Sequence, residues 1–157
     1  MDATTTQITL KPAEYFHAAY AGFFRQATNI CRGRVDAYNF NGNGYDVHVL
    51  GAIGEYVVAR TLGIFWSGPG TLRASDVGRH IQVRTRSRHD YELIVHPNDE
   101  DDAPFVLVTG QGLDYVVHGW IMGRDGKQRE WWNDPARGRP AYFVPHTALR
   151  AMEELVG

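Results

Sequence analysis

Apolar residues recur at Ala13, Phe16, Tyr20, Phe23, Phe24, Ala27 and Ile30. This three-four spacing predicts an amphipathic helix from Pro12, a residue suited to a first helical turn. Phe16, Phe23 and Phe24 at that spacing read as core or as a dimer seam. Before the helix, residues 1–9 read as a loose arm. After it, Gly33 and Asn41-Gly42-Asn43-Gly44 mark a loop. Asp46 is placed to cap a second helix that runs to about Leu62 and ends at Gly63. On that helix Gly51, Glu55, Val58 and Leu62 share a stripe, so Glu55 points toward the protein and needs a partner.

Beyond Gly63 the pattern turns to strands. Ile64 to Trp66 is a short one. Ile81 to Arg86 alternates strictly, with Ile81, Val83 and Thr85 on one side and Gln82, Arg84 and Arg86 on the other. Tyr91 to Val95 follows, and then Phe105 to Thr109, whose unbroken apolar run suits a strand buried on both faces. The acidic loop between them, His96 to Pro104, reads as solvated. Tyr115 to Met122 is a further strand, closed by a turn at Gly123-Arg124-Asp125-Gly126. Lys127 to Trp132 reads as a short helix. Tyr142 to Val144 is a last strand, and Thr147 would cap a final helix carrying Leu149, Met152 and Leu155. Gly110-Gln111-Gly112 has no helix or lysine after it and reads as a turn. The order predicts a single α+β domain over residues 1–157: two helices, a mostly antiparallel sheet and a terminal helix.

Composition narrows the class only a little. With 43% hydrophobic and 22% charged residues the chain suits a soluble globular protein. No apolar run approaches the roughly 20 residues that span a bilayer. Met1 to Gln7 lacks an apolar stretch, so no signal peptide is read. The one cysteine, Cys31, forms no internal disulfide and excludes a Cys-ligated zinc site. A cytoplasmic location is the expectation. The net charge of −2 does not advertise nucleic-acid binding. Its distribution does: Arg73, Arg79, Arg84, Arg86 and Arg88 fall in one stretch opposed only by Asp76.

That basic stretch overlaps a set of chemically suggestive residues: Glu55 on the second helix, Asp76 in a loop, and the strand triplet Gln82-Val83-Arg84. Phosphodiester hydrolysis needs an activated water, a Lewis acid and a cation near the developing charge. Hard divalent ions take oxygen ligands. Asp76 is the best direct ligand and Glu55 a second. The Gln82 amide and the Val83 backbone carbonyl would complete the sphere, and Arg84 would face the phosphate. Each residue also has a plainer explanation. Glu55 would pair with an arginine such as Arg60 or Arg84, Asp76 would form a turn before Gly78, and the strand residues would be an exposed face. His80 and His89 flank the site without metal-ligand spacing. Trp131 and Trp132 are either a base-stacking platform or a lid on the sheet.

The order and spacing resemble the PD-(D/E)XK nuclease superfamily over residues 46–122. Gly51-x-x-Gly54-Glu55-x-x-Val58-Ala59 is similar to its acid-bearing helix, Ser75-Asp76-Val77 to its acidic turn, and Ile81-Gln82-Val83-Arg84-Thr85 to its triplet strand. The resemblance implies a restriction-endonuclease-like core, a mixed central sheet flanked by helices. It also implies a Mg2+- or Mn2+-dependent nuclease with Glu55, Asp76, Gln82 and Arg84 in the catalytic site. Nucleic acid is the implied partner, DNA ahead of RNA, with Arg79, Arg86 and Arg88 as phosphate contacts. The small size suggests a homodimer or a helper in a larger assembly. The style resembles small phage or mobile-element proteins. The sequence departs from the family pattern twice. Gln82 removes a negative charge from the metal site, and Arg84 stays protonated and cannot serve as a base. The alternative is therefore a non-cleaving nuclease-like fold that binds nucleic acid or a protein.

Overall fold

A computed structural model describes residues 5–33, 44–68 and 76–155. Strand β1 (Thr6–Thr9) leads into helix α1 (Pro12–Cys31), and α2 (Gly44–Leu62) follows. The chain continues through β2 (Gln82–Arg86), β3 (Leu93–Val95), β4 (Pro104–Gln111) and β5 (Asp114–Met122). A single turn α3 (Gly123–Gly126), β6 (Trp132–Asn133) and β7 (Ala141–Val144) complete it. The protein is an α+β fold with two sheets, ordered β1-β5-β4-β2 and β3-β7-β6.

In α1, Pro12 stands in the first turn and the Lys11 amide donates to the Glu14 carboxylate at 2.7 Å. Gly22 lets α1 close on α2, since a Cβ there would lie 2.4 Å from the His48 carbonyl oxygen. Gly63, at φ +66°, ends α2 in the left-handed conformation that glycine tolerates. α2 packs on the sheet at Gly54, where a Cβ would fall 1.8 Å from Thr85 Oγ1.

The first core lies between the helices and one sheet face, where Ile53, Val57 and Val58 meet Val83, Val106 and Val108. The second fills the space between the other face and the small sheet, with Phe105, Leu107 and Ile121 against Leu93, Val95 and Val144. β2 runs parallel to β4, with Val83 beside Val106 and Arg84 beside Leu107. Val83 therefore faces the helices, while Gln82, Arg84 and Arg86 share the face of Phe105 and Leu107. The alternation along β2 follows the predicted register, and β4 is buried from Pro104 to Gly110.

Several expectations are corrected. Residues 6–9 are not a loose arm: they pair with β5 from Thr6–Val117 to Thr9–Asp114, and the Thr9 hydroxyl donates to Asp114 at 2.8 Å. The main sheet is mixed and mostly antiparallel, as expected: β1–β5 and β5–β4 are antiparallel and β2 is parallel to β4. Ile64 to Trp66 forms no strand. Residues 127–132 give only a 3-10 turn at Arg129–Trp131. The terminal helix is replaced by 3-10 turns at His146–Ala148 and Met152–Glu154. Leu149, Met152 and Leu155 are three apart, which a 3-10 repeat satisfies. Arg150 exchanges backbone hydrogen bonds with Trp120 at 3.0 and 2.8 Å, which holds that stretch extended. Phe16, Phe23 and Phe24 are not core: they are exposed beside Tyr20 on the outer face of α1, and Ala18, Ala21 and Gly22 form the buried face. The calls on residues 1–4, 34–43 and 69–75 lie outside the described residues. Among the described residues, no helix is long and apolar enough to cross a membrane.

Candidate functional site

Glu55 is only 6% exposed. Its partner is Arg25 of α1, not Arg60 or Arg84. The guanidinium reaches both carboxylate oxygens, Nη1 to Oε1 at 2.8 Å and Nη2 to Oε2 at 2.7 Å. Trp66 adds an indole N–H to Oε2 at 3.2 Å. Arg25 also donates to the Gly68 carbonyl at 2.5 Å. This bidentate geometry is the strong form of the ion pair. Burial still pushes the Glu55 carboxyl above its usual range, against the pull of Arg25 and with added repulsion from Asp76. For Arg25, burial works against the charged form, but the hydrogen bond to Glu55 and the charges of Glu55 and Asp76 together outweigh it and hold the guanidinium above its usual range.

Asp76 occupies the base of a tight hairpin. Val77 and Ile81 exchange backbone hydrogen bonds at 3.1 Å each, and Gly78 at φ +61° makes the turn between them. This turn brings Asp76 back along the open edge of β2, where its Oδ2 accepts the Val83 N–H at 2.8 Å. Val83 thus meets the acid through its amide, a backbone donor. Burial raises the Asp76 carboxyl, while the Val83 amide, Arg84 and Arg25 draw it back. Asp76 is therefore the group that feels both sides: Glu55 and Arg25 toward the helices, Arg84 and Asp99 toward the other face of the sheet.

Arg84 is held in place from within the protein. Its Nη2 donates to both oxygens of Asp99 at 2.9 Å, and its guanidinium lies 4.9 Å over the Phe105 ring. The loop read as solvated thus turns one acid inward: the Asp99 side chain is 8% exposed and also accepts the His96 amide at 2.7 Å. Gln82 shares the face of Arg84 and is half-buried. Arg86 stacks over Tyr91 at 4.2 Å and donates to the Glu92 carbonyl at 3.0 Å. Arg88 pairs with Asp90 at 3.0 Å on the surface, and Arg79 is exposed. His89 and His118 both bond the buried Thr109 hydroxyl, at 2.7 and 2.6 Å, away from the acids. Trp131 packs partly on the second core, whereas Trp132 is exposed with its ring against Tyr142.

The four predicted site residues gather around the edge of β2, but their donor set does not fit a divalent ion as it stands. Glu55 already accepts three N–H groups from Arg25 and Trp66, so a metal would have to displace a guanidinium. Among the described residues, no group of three or more His, Cys, Asp or Glu side chains is arranged to hold a metal ion. Sequence reading missed Arg25 and Asp99. Arg25 had a signal: it lies three and four residues after Gly22 and Ala21, on the buried stripe of α1, and a charge on that stripe calls for a buried partner. Asp99 had none, being one acid in a run of four.

No family model, no curated protein and no solved structure matches this chain.

Proposed function

We propose that this protein is a nucleic-acid-binding module built on a restriction-endonuclease-like core, with its acidic site closed by an internal arginine. The observation that carries this reading is the Arg25–Glu55 clamp: a protein cation sits where a nuclease of this type would need Glu55 free. Arg84 is likewise committed to Asp99, as a permanent cation and not as a base. The remaining arginines of β2 and its flanks supply the positive face that a phosphate backbone requires. DNA stands ahead of RNA by family resemblance alone.

The test uses labelled single- and double-stranded DNA and RNA with Mg2+, Mn2+ or chelator, with wild type beside Asp76→Ala. The expected result is salt-sensitive binding without cleavage, unchanged by chelator. Metal-dependent cleavage that Asp76→Ala abolishes would overturn this reading.

One observation favours that second outcome, a Mg2+- or Mn2+-dependent nuclease. Glu55 is buried and Asp76 partly buried, close enough to repel, and both carboxyls lie above their usual ranges. Such a pair in a phosphate-facing site is the electrostatic pattern of functional acids. It would bind metal only if Arg25 leaves Glu55.

A further inference from the structure

Along the open edge of β2, a cleft of about 610 Å³ separates that strand from the small sheet and the loop of residues 135–140. Sequence reading assigned two of its lining residues, Arg84 and Arg86, to phosphate and nothing to the rest. Its charged lining, among the described residues, is one-sided: Arg84, Arg86, Arg139 and the imidazole of His96, with no carboxylate. Asp99 lies behind Arg84 and compensates that one charge. Arg86 is different. It is partly buried and stacked on Tyr91, and its hydrogen-bond acceptor is the neutral Glu92 carbonyl. Burial presses the Arg86 guanidinium below its usual range, and the opposing pull of Tyr91, Glu92 and Asp90 does not fully offset it. A partly desolvated cation with a neutral acceptor gains from an anion.

The third arginine arrives on a loop that is shaped in advance. Asp134 accepts the Gly138 N–H at 2.8 and 3.0 Å and the Arg139 N–H at 3.0 Å. Arg137 takes a left-handed φ of 52° and Gly138 one of 107°, which turns the chain within that ring of bonds. Arg139 is near enough to His96 that its charge helps to lower the imidazole, after burial.

The opposite wall is apolar, with Ile94 and Phe143 from the small sheet, flanked by Pro140. The volume lies within the range of small-molecule sites, roughly 300–1,000 Å³. An inorganic anion would use only the arginine side. A ligand that carries a phosphate on one end and a flat apolar body on the other uses both.

We propose that this cleft holds one nucleotide unit of a single-stranded nucleic acid, its phosphate on Arg86 and Arg139 and its base against Ile94 and Phe143. The assignment rests on the nucleic-acid-binding reading above and names its substrate class: an end or an unpaired nucleotide, rather than the interior of a duplex. Base contact of this kind tolerates sequence, because every base has a flat face.

Fluorescence anisotropy on the full chain in chelator tests it. The probes are a labelled single-stranded oligonucleotide, the same strand with abasic positions, a blunt duplex, and free nucleoside monophosphates as competitors. Arg139→Ala changes an exposed loop residue, and a thermal melt verifies its fold. The intact single strand should bind at least about fivefold tighter than the abasic one. Arg139→Ala should weaken binding about tenfold and lower the salt slope by about one. Unchanged binding in Arg139→Ala and Arg86→Ala, with loss on replacing Arg79 and Arg88, would overturn the cleft while keeping nucleic-acid binding. Arg139-dependent binding of free nucleotide without oligonucleotide binding would keep the cleft and overturn the nucleic-acid reading. Binding of neither would overturn both.

Discussion

Replacing Arg25 by alanine is the sharpest perturbation of the site. It leaves the Glu55 carboxylate 6% exposed, with the Trp66 N–H at 3.2 Å as its remaining hydrogen bond. Breaking a buried ion pair from one side costs about 3–5 kcal/mol. The carboxylate has one escape, which is to take up a proton. Against an ordinary value of 4.5, that costs about 3.4 kcal/mol at pH 7, from 2.5 units at about 1.36 kcal/mol each. Protonation therefore caps the loss, and the expected destabilisation is about 3 kcal/mol at pH 7. At pH 5 the same cap is about 0.7 kcal/mol, so the penalty should shrink to about 1 kcal/mol, the rest being the lost hydrogen bond to the Gly68 carbonyl. Urea unfolding at both pH values measures this, and a melt at pH 7 should fall by about 6–12 °C. The double variant Arg25→Ala with Glu55→Gln should recover part of the loss, because the stranded charge is gone. A penalty under about 1 kcal/mol at pH 7, or one equal at both pH values, would refute the buried clamp. With the clamp removed, Glu55 lacks its cation beside Asp76, which keeps the Val83 amide and the charge of Arg84. Mn2+ should then raise the midpoint of Arg25→Ala and leave that of the wild type unchanged.

Other outcomes follow from the same geometry. Glu55 and Asp76 both have folded-state values above their unfolded ones, so in that window the folded protein binds more protons than the unfolded chain. Their contribution to stability therefore rises as pH falls from neutral toward 4.5, and chemical denaturation in Asp76→Asn should show a flatter pH slope than wild type. Gly54→Ala should cost about 2 kcal/mol or more by driving a Cβ into Thr85, and Thr85→Ala should relieve part of it in a double-variant cycle. For Arg84 and Asp99, a double-variant cycle with Arg84→Met and Asp99→Asn should give a coupling of about 1–3 kcal/mol, whereas the surface pair Arg88 and Asp90 should give no measurable coupling.

Periodicity carried most of the element list. A repeat of 3.6 along α1 and α2, and of two along β2, is imposed by burial of one face, so the sequence alone located these elements and the side on which Gln82, Arg84 and Arg86 lie. It also placed Glu55 inward, because its stripe neighbours are apolar. It failed where local pattern is degenerate. A three-residue spacing near the C-terminus fits α- and 3-10 turns alike, and the bridge from Arg150 to Trp120 decided between them. The Thr-rich start looked loose because edge pairing with β5 is a long-range contact with no local mark.

The site divides the same way. Residue type alone determined that a buried carboxylate at position 55 needs a cation, and that a glutamine and an arginine in the triplet weaken a metal site. Which cation answers Glu55 was decided by the α1–α2 contact, where Gly22 lets the helices close and Arg25 reaches both carboxylate oxygens. Which acid answers Arg84 was decided by the turn that folds Asp99 inward. Both partners are distant in sequence, and an ion pair between distant segments depends on where the backbone brings them, which no local pattern encodes.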